Sequence, residues 1–140
     1  MATTQFELVT PTRTLFTGEA EMIVCRSVDG EIAFLANHMP YIGALDPGVV
    51  RIVGPVGESE GATGSEIRLA VHGGFVEVKD NQVIMLADEA ELASEIDVDA
   101  ARRAESEAND ALSSHAGDPP DEAAENAWRW ARARVEAASP

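Results

Sequence analysis

Near residue 88 the chain changes character, and that change limits the folds open to it. From residue 6 to residue 87 short apolar runs alternate with turn residues and show little helical periodicity. From residue 89 onward Ala, Glu, Asp and Arg dominate. The first pattern suits strands that alternate between two faces, and the second suits helices with a 3.6-residue period. The expectation is an all-β sandwich over residues 1–88, then an antiparallel α-helical hairpin over residues 89–140. At 140 residues the chain can bury a core of ordinary size.

Within the β region, Phe6, Leu8 and Val9 open the first strand, and Leu15 and Phe16 belong to a second. In a third, over residues 19–27, Met22 and Val24 share one face while Ile23 and Cys25 share the other. Asp46-Pro47-Gly48 reads as a turn that feeds a strand over residues 49–53. Residues 54–65 read as an acidic hairpin tip. Despite its glycines this loop has no Gly-Lys-Ser/Thr ending and no basic residue, so it cannot cradle phosphate as a P-loop does. Ile67, Leu69 and Val71 line one face of the returning strand. Gly73-Gly74 permits a bend or bulge, and Asp80-Asn81 reads as a hairpin turn before residues 83–87.

The first helix is expected over residues 98–114, with Asp97 as N-cap and Asp99 in its first turn. Ala101, Ala104, Ala108 and Ala111 form a stripe of small residues. Residues 117–121 punctuate the chain: Gly117 ends one helix, Asp118 caps the next, and Pro119 takes its first position. The second helix runs to about Ala138, with Ala124, Ala127, Ala131, Val135 and Ala138 on one face and Trp128 beside it. Alanine faces bury little area, so the hairpin is expected to be marginally stable alone and mobile relative to the sandwich.

Charge and cysteine usage narrow the function. A formal net charge of −15 opposes binding to nucleic acid phosphates or to an anionic lipid surface. Cys25 is the only cysteine, which excludes an intrachain disulfide and fits a reducing compartment. It reads as a buried strand residue rather than a nucleophile, and no His-Cys cluster supports a zinc site. Thr3, Thr4 and Glu7 stand where a signal peptide needs a basic start and a long apolar run, and no window approaches a membrane span, so a soluble protein is expected.

The densest local pattern is residues 29–41, DGEIAFLANHMPY. Asp29-Gly30 turns the chain, Ile32, Phe34 and Leu35 make a strand, and Asn37-His38-Met39-Pro40 ends it in a polar corner. Glu31 and His38 sit at opposite ends of that strand. They either reach toward a partner from a rigid sheet or are ordinary solvated residues.

Residues 29–41, then LDPGVVRI, HGGFVEVKDNQVIMLAD and an IDVDAARRA-like helix start, occur in an order and spacing that resemble the epsilon subunit family of bacterial F-type ATP synthase, called delta in mitochondria. The resemblance spans nearly the whole chain. It implies a β-sandwich of about ten strands on the central stalk. This domain docks on the gamma subunit and on the polar loops of the c-ring, and it turns with the rotor. Carried onto this sequence, Glu31 is the acidic residue facing the ring loops and His38 lies near the gamma contact.

The resemblance further implies a hairpin that lies against the sandwich or extends along gamma toward the alpha/beta head, where it inhibits ATP hydrolysis. No catalytic residue, metal or obligatory cofactor is implied. The location is peripheral on the cytoplasmic side of the cell membrane, with membrane contact only through the complex. Some family members bind a regulatory ATP on the hairpin through an Ile/Leu-Asp-x-x-Arg-Ala motif. Asp99 and Arg102 are retained here, but Val98 and Arg103 depart from the motif; Arg129 and Arg132 complete the candidate set. Against it, Glu125 with Arg129 and Arg132 with Glu136 have the spacing of surface ion pairs. The rival readings are an independent ligand-binding β-sandwich or an adaptor whose hairpin binds another helix. They lack a Gly-x-Ser-x-Gly elbow, a metal cluster among His38, His72 and His115, and a P-loop.

Overall fold

The computed structural model describes residues 2–54, 66–114 and 122–138. Among these residues eight strands come first: β1 Thr4–Val9, β2 Thr14–Ala20, β3 Met22–Ser27, β4 Gly30–Leu35, β5 Tyr41–Val53, β6 Glu66–Lys79, β7 Gln82–Ala87 and β8 Ala90–Leu92. A 3₁₀ turn at Ala93–Glu95 leads to helices α1, Val98–Ser114, and α2, Glu122–Ala138. The strands hydrogen-bond in the order β2-β1-β7-β6-β5-β3-β4, with β8 on β6. All pairings are antiparallel except β1 with β7, which is parallel.

Phe16 on β2 and Phe34 on β4 come from opposite ends of this path, yet both belong to one buried cluster with Phe6, Leu8, Ile23, Ile52, Leu69 and Met85. A flat sheet cannot bring its two ends into one core, so the path folds over on itself. Each large side chain removed from water contributes about 1.5–3 kcal/mol. Ile67, Leu69 and Val71 all face this core, as their alternation predicts.

The long strands β5 and β6 make the fold-over possible. The ladder between them keeps one register from Tyr41↔Val78 to Val53↔Glu66, skipping only the position of Asp46 and Gly73. Outside it, β6 pairs β8 through Leu69–Val71 and β7 through Gly74–Lys79. The handover falls at Gly73 and Gly74, whose φ values are +102° and +122°. Only glycine adopts such angles readily. The expected bend is therefore a change of partner within one continuous strand. Eight strands are found among the described residues where about ten were expected, because β5 and β6, of 13 and 14 residues, each continue through a length that would otherwise make two.

Asp46-Pro47-Gly48 is not a turn. It lies inside β5, with Pro47 opposite His72 and Gly48 opposite Val71. Pairing of β5 with β3 shifts register between Val24↔Arg51 and Ser27↔Leu45. Pro47, which has no N–H, occupies that interruption, where β3 requires no bond from it. Beyond the expected boundary at residue 88, β8 still pairs with β6, so strand pairing continues to Leu92.

The first helix occupies the expected span. Asp97 caps it, its Oδ1 accepting from the Ala100 N–H at 3.1 Å. Ala101 is fully buried and Ala104 and Ala108 are half-buried, but Ala111 is exposed. In α2 the buried residues are Ala131, Ala133 and Ala137, while Ala127 is exposed. Ala133 and Ala137 join Ala70 of β6, Ile96 and Ala101 in a second, smaller cluster. The second helix therefore packs on both α1 and the β5–β6 face of the sandwich, where one alanine stripe predicts a single buried face. The predicted punctuation at residues 117–121 and nearly all of the 54–65 loop lie outside the described residues.

Candidate functional site

Glu31 and His38 stand at the two ends of β4, as the sequence places them. The β3–β4 turn is tied by Ser27, whose Oγ donates to the Gly30 carbonyl at 2.9 Å and accepts from the Asp29 N–H at 3.1 Å. This fixes the exposed Glu31 opposite Arg26 on β3. At the other end Asn37 has φ +60°, and the His38 N–H donates to the Leu35 carbonyl at 3.2 Å. The His38 Nδ1 is 2.7 Å from the Met39 carbonyl oxygen, an acceptor, so Nδ1 carries the proton. The imidazole meets the buried Phe34 ring edge-on, with centroids 5.0 Å apart. Its orientation is thus held by the core beneath it.

A second surface was not anticipated from the sequence. Ala44, Phe75 and Leu86 lie directly opposite one another on β5, β6 and β7, and Ile42, Glu77 and Ile84 form the adjacent row. Phe75 is 60% exposed, Leu86 56% and Ile42 73%. Val28 is also exposed, and its N–H donates to the Ala44 carbonyl at 3.1 Å, which places it beside the first row. A contiguous apolar patch on a rigid sheet marks an interaction site more strongly than scattered exposed residues do. Its sequence signal is the run Val83-Ile84-Met85-Leu86: a strand with one wet face alternates, whereas this one is apolar on both.

On the hairpin side, α2 and the sandwich enclose a groove of about 480 Å³. Arg26, Arg51, Arg68, Arg129 and Arg132 line it, together with Glu31, Asp46, Glu136 and Trp128. Five of the ten basic residues of a strongly acidic chain therefore face one cavity. Local pairing organises them: Arg51 Nε lies 2.9 Å from Glu66 Oε1, Arg129 Nη1 3.6 Å from Asp46 Oδ2, and Arg132 Nε 3.0 Å from Glu136 Oε1. The Arg51 hydrogen bond holds the Glu66 carboxyl below its ordinary range. Val24 lines the groove floor, while Cys25 beside it faces the core. Burial, reinforced by the Glu31 charge, pushes the Cys25 thiol up to about 12, so it is a poor nucleophile.

The four residues considered for nucleotide binding are divided by the structure. Arg129 and Arg132 reach the groove, whereas Asp99 and Arg102 are exposed on α1 and are not among its lining residues. The predicted pair of Arg132 with Glu136 forms, while Arg129 pairs across to Asp46 of the sandwich. No group of three or more His, Cys, Asp or Glu side chains suited to a metal ion occurs among the described residues. No helix among them is long and apolar enough to cross a membrane.

Comparison with known proteins agrees with this architecture. The profile of the ATP synthase delta/epsilon chain β-sandwich domain matches residues 3–93. The ATP synthase epsilon chain of Desulforamulus reducens is 37% identical over 139 residues, covering 99% of each chain. That of Brevibacillus brevis is 42% identical over 106 residues, covering 76% of this chain and 75% of its own. Among solved structures, a chain of the Euglena gracilis mitochondrial ATP synthase, in its OSCP/F1/c-ring assembly, matches with a TM-score of 0.74 and 28% identity, over 99% of this chain and 82% of that one. A chain of the Tetrahymena thermophila mitochondrial ATP synthase central stalk and c-ring shares the fold at a TM-score of 0.61 and 17% identity, over 96% of each. With more than half of its length matched by one family and a relative 37% identical over 99% of each chain, this chain belongs to the delta/epsilon chain family of the ATP synthase.

Proposed function

We propose that this chain is the epsilon subunit of an F-type ATP synthase, a non-catalytic part of the central stalk that couples rotation of a proton-driven c-ring and of gamma to ATP synthesis. The observation that carries this reading, beyond family membership, is the exposed apolar row through Phe75 and Leu86, which suits docking on another subunit. We assign that row, with His38 at the neighbouring corner, to the gamma contact, and Glu31 to the polar loops of the ring. The protein then sits peripherally on the cytoplasmic side of the membrane, held there through its complex.

The hairpin, in this reading, is a regulatory element that rests on the sandwich and, when extended toward the alpha/beta head, inhibits hydrolysis. A population shift of this kind needs only a modest difference in contacts between two states. The arginine-lined groove adds a regulatory nucleotide to the reading, held through Arg129 and Arg132. Arg132→Ala is then expected to weaken ATP binding to the free protein severalfold; equal affinity of variant and parent removes the nucleotide from the reading.

The deciding experiment is ATP hydrolysis and ATP-driven proton pumping by reconstituted synthase with the full chain, with residues 1–88 plus the β8 segment through Leu92, and with no subunit. Pumping restored by the β domain, with hydrolysis modulated by the hairpin, is the expected result. Pumping and hydrolysis indifferent to the protein overturn it.

A further inference from the structure

The alanine faces of the hairpin are too small to account for its docking on the sandwich, and one aromatic contact stands out at that seam. Trp130 of α2 lies flat on His72 of β6, with ring centroids 4.9 Å apart and planes inclined by 17°. The Arg134 guanidinium carbon sits 5.9 Å from the indole centroid, and its Nε is 2.7 Å from Glu91 Oε1 on β8. His72 is itself fixed from behind, its backbone N–H donating to the Glu89 carbonyl at 2.8 Å. The layers thus join α2 to β6 and β8 and cross from hairpin to sandwich.

We infer that the His72–Trp130–Arg134 stack is the clasp that keeps the hairpin docked on the sandwich. The magnitudes favour it. The other apolar α2 residues in that small cluster are Ala133, Val135, Ala137 and Ala138. An alanine methyl buries little, whereas a tryptophan side chain is far larger and gains further from ring stacking beyond the area it buries. The Arg134–Glu91 side chains are only 20% and 30% exposed, less so than the 52% of each partner in the Arg132–Glu136 pair. Screening therefore weakens the clasp less than it weakens the helix-surface pair.

Trp128 supplies the internal comparison. It is the same residue type on the same helix, also half-buried, but its cation contact is to Arg132 of α2 itself, and no ring of the sandwich among the described residues stacks on it.

Regulation by release of this clasp rests on the hairpin role proposed above, but the clasp can be tested apart from it. Amide hydrogen exchange on the free full-length protein reads docking directly. Trp130→Ala is expected to speed exchange across α2 by about thirtyfold or more, a factor that follows from losing some 2 kcal/mol, while β5 and β6 stay protected. Trp128→Ala should change it far less. His72→Ala should reproduce the Trp130→Ala effect and His72→Phe should restore protection. Unchanged α2 protection in Trp130→Ala, equal effects of the two tryptophan variants, or loss of protection throughout β5 and β6 would each overturn the clasp. Hydrolysis by synthase carrying Trp130→Ala is the separate readout: unclasping without any change in hydrolysis leaves the clasp standing and removes the regulatory role.

Discussion

The Oδ1 atom of Asn81, in the β6–β7 turn, accepts a hydrogen bond of 2.7 Å from the backbone N–H of Asn37, at the corner after β4. Two residues distant in sequence thereby join the His38 corner to the opposite hairpin. The Asn81 amide also donates to the Thr3 carbonyl at 3.0 Å, which draws in the start of β1. Asn81 has φ +57°, so Asn81→Gly removes the side chain without backbone strain. The expected cost is about 1–2 kcal/mol in urea unfolding. The Asn37 amide should exchange much faster in the variant; an unaltered rate there means that Asn81 does not hold the corner.

The exposed apolar row predicts a loss of assembly without a loss of fold. Phe75→Ser removes a side chain that is 60% exposed, so stability should change by no more than about 0.5 kcal/mol. Affinity for synthase lacking this subunit should fall about tenfold or more if Phe75 anchors the interface. Sedimentation or surface binding that gives equal affinities would move the docking face elsewhere.

At the handover of β6 between β8 and β7, adjacent glycines should differ in tolerance. A Cβ on Gly74, at φ +122°, collides with the carbonyl oxygen of Leu86, whereas on Gly73 its nearest neighbour is Asp88 Oδ2 at 3.4 Å. Gly73→Ala is expected to cost about 1–2 kcal/mol from conformation alone. Gly74→Ala adds the collision and should cost about 3 kcal/mol or more, since the backbone must shift. Thermal unfolding midpoints in the reverse order would contradict the geometry.

Acid should remove the Arg51–Glu66 contribution. The folded-state Glu66 carboxyl is depressed below 4.5, chiefly by its hydrogen bond to Arg51. Its stabilisation is therefore present above pH 4.5 and is lost as pH falls through the depressed value. Both side chains are about a third or more exposed, so the effect is well under about 1 kcal/mol. Glu66→Gln should be slightly less stable than the parent at pH 7 and converge with it in strong acid. A gap that persists or widens at low pH would assign the difference to packing.

Several features are fixed by the sequence because their causes are local. Ile67, Leu69 and Val71 alternate toward the core, Asp97 caps α1 at the expected position, and Asp80 and Asn81 take positive φ in a two-residue turn, as that dipeptide favours. The stretch containing Glu31 and His38 is likewise legible from its turn, strand and corner.

Tertiary structure decided what depends on distant neighbours. Asp46-Pro47-Gly48 carries strong turn chemistry, yet the ladder to β6 on both sides of it draws the segment into β5. The second face of α2, with Trp130, Ala133 and Ala137, is invisible to a helix periodicity that seeks one buried stripe, because the β5–β6 surface that covers it lies far away in the chain. Gathering Arg26, Arg51, Arg68, Arg129 and Arg132 into one groove has the same origin. Local propensity and patterning reside in neighbouring residues, whereas grooves and docking faces exist only once sheet curvature and helix placement bring distant side chains together.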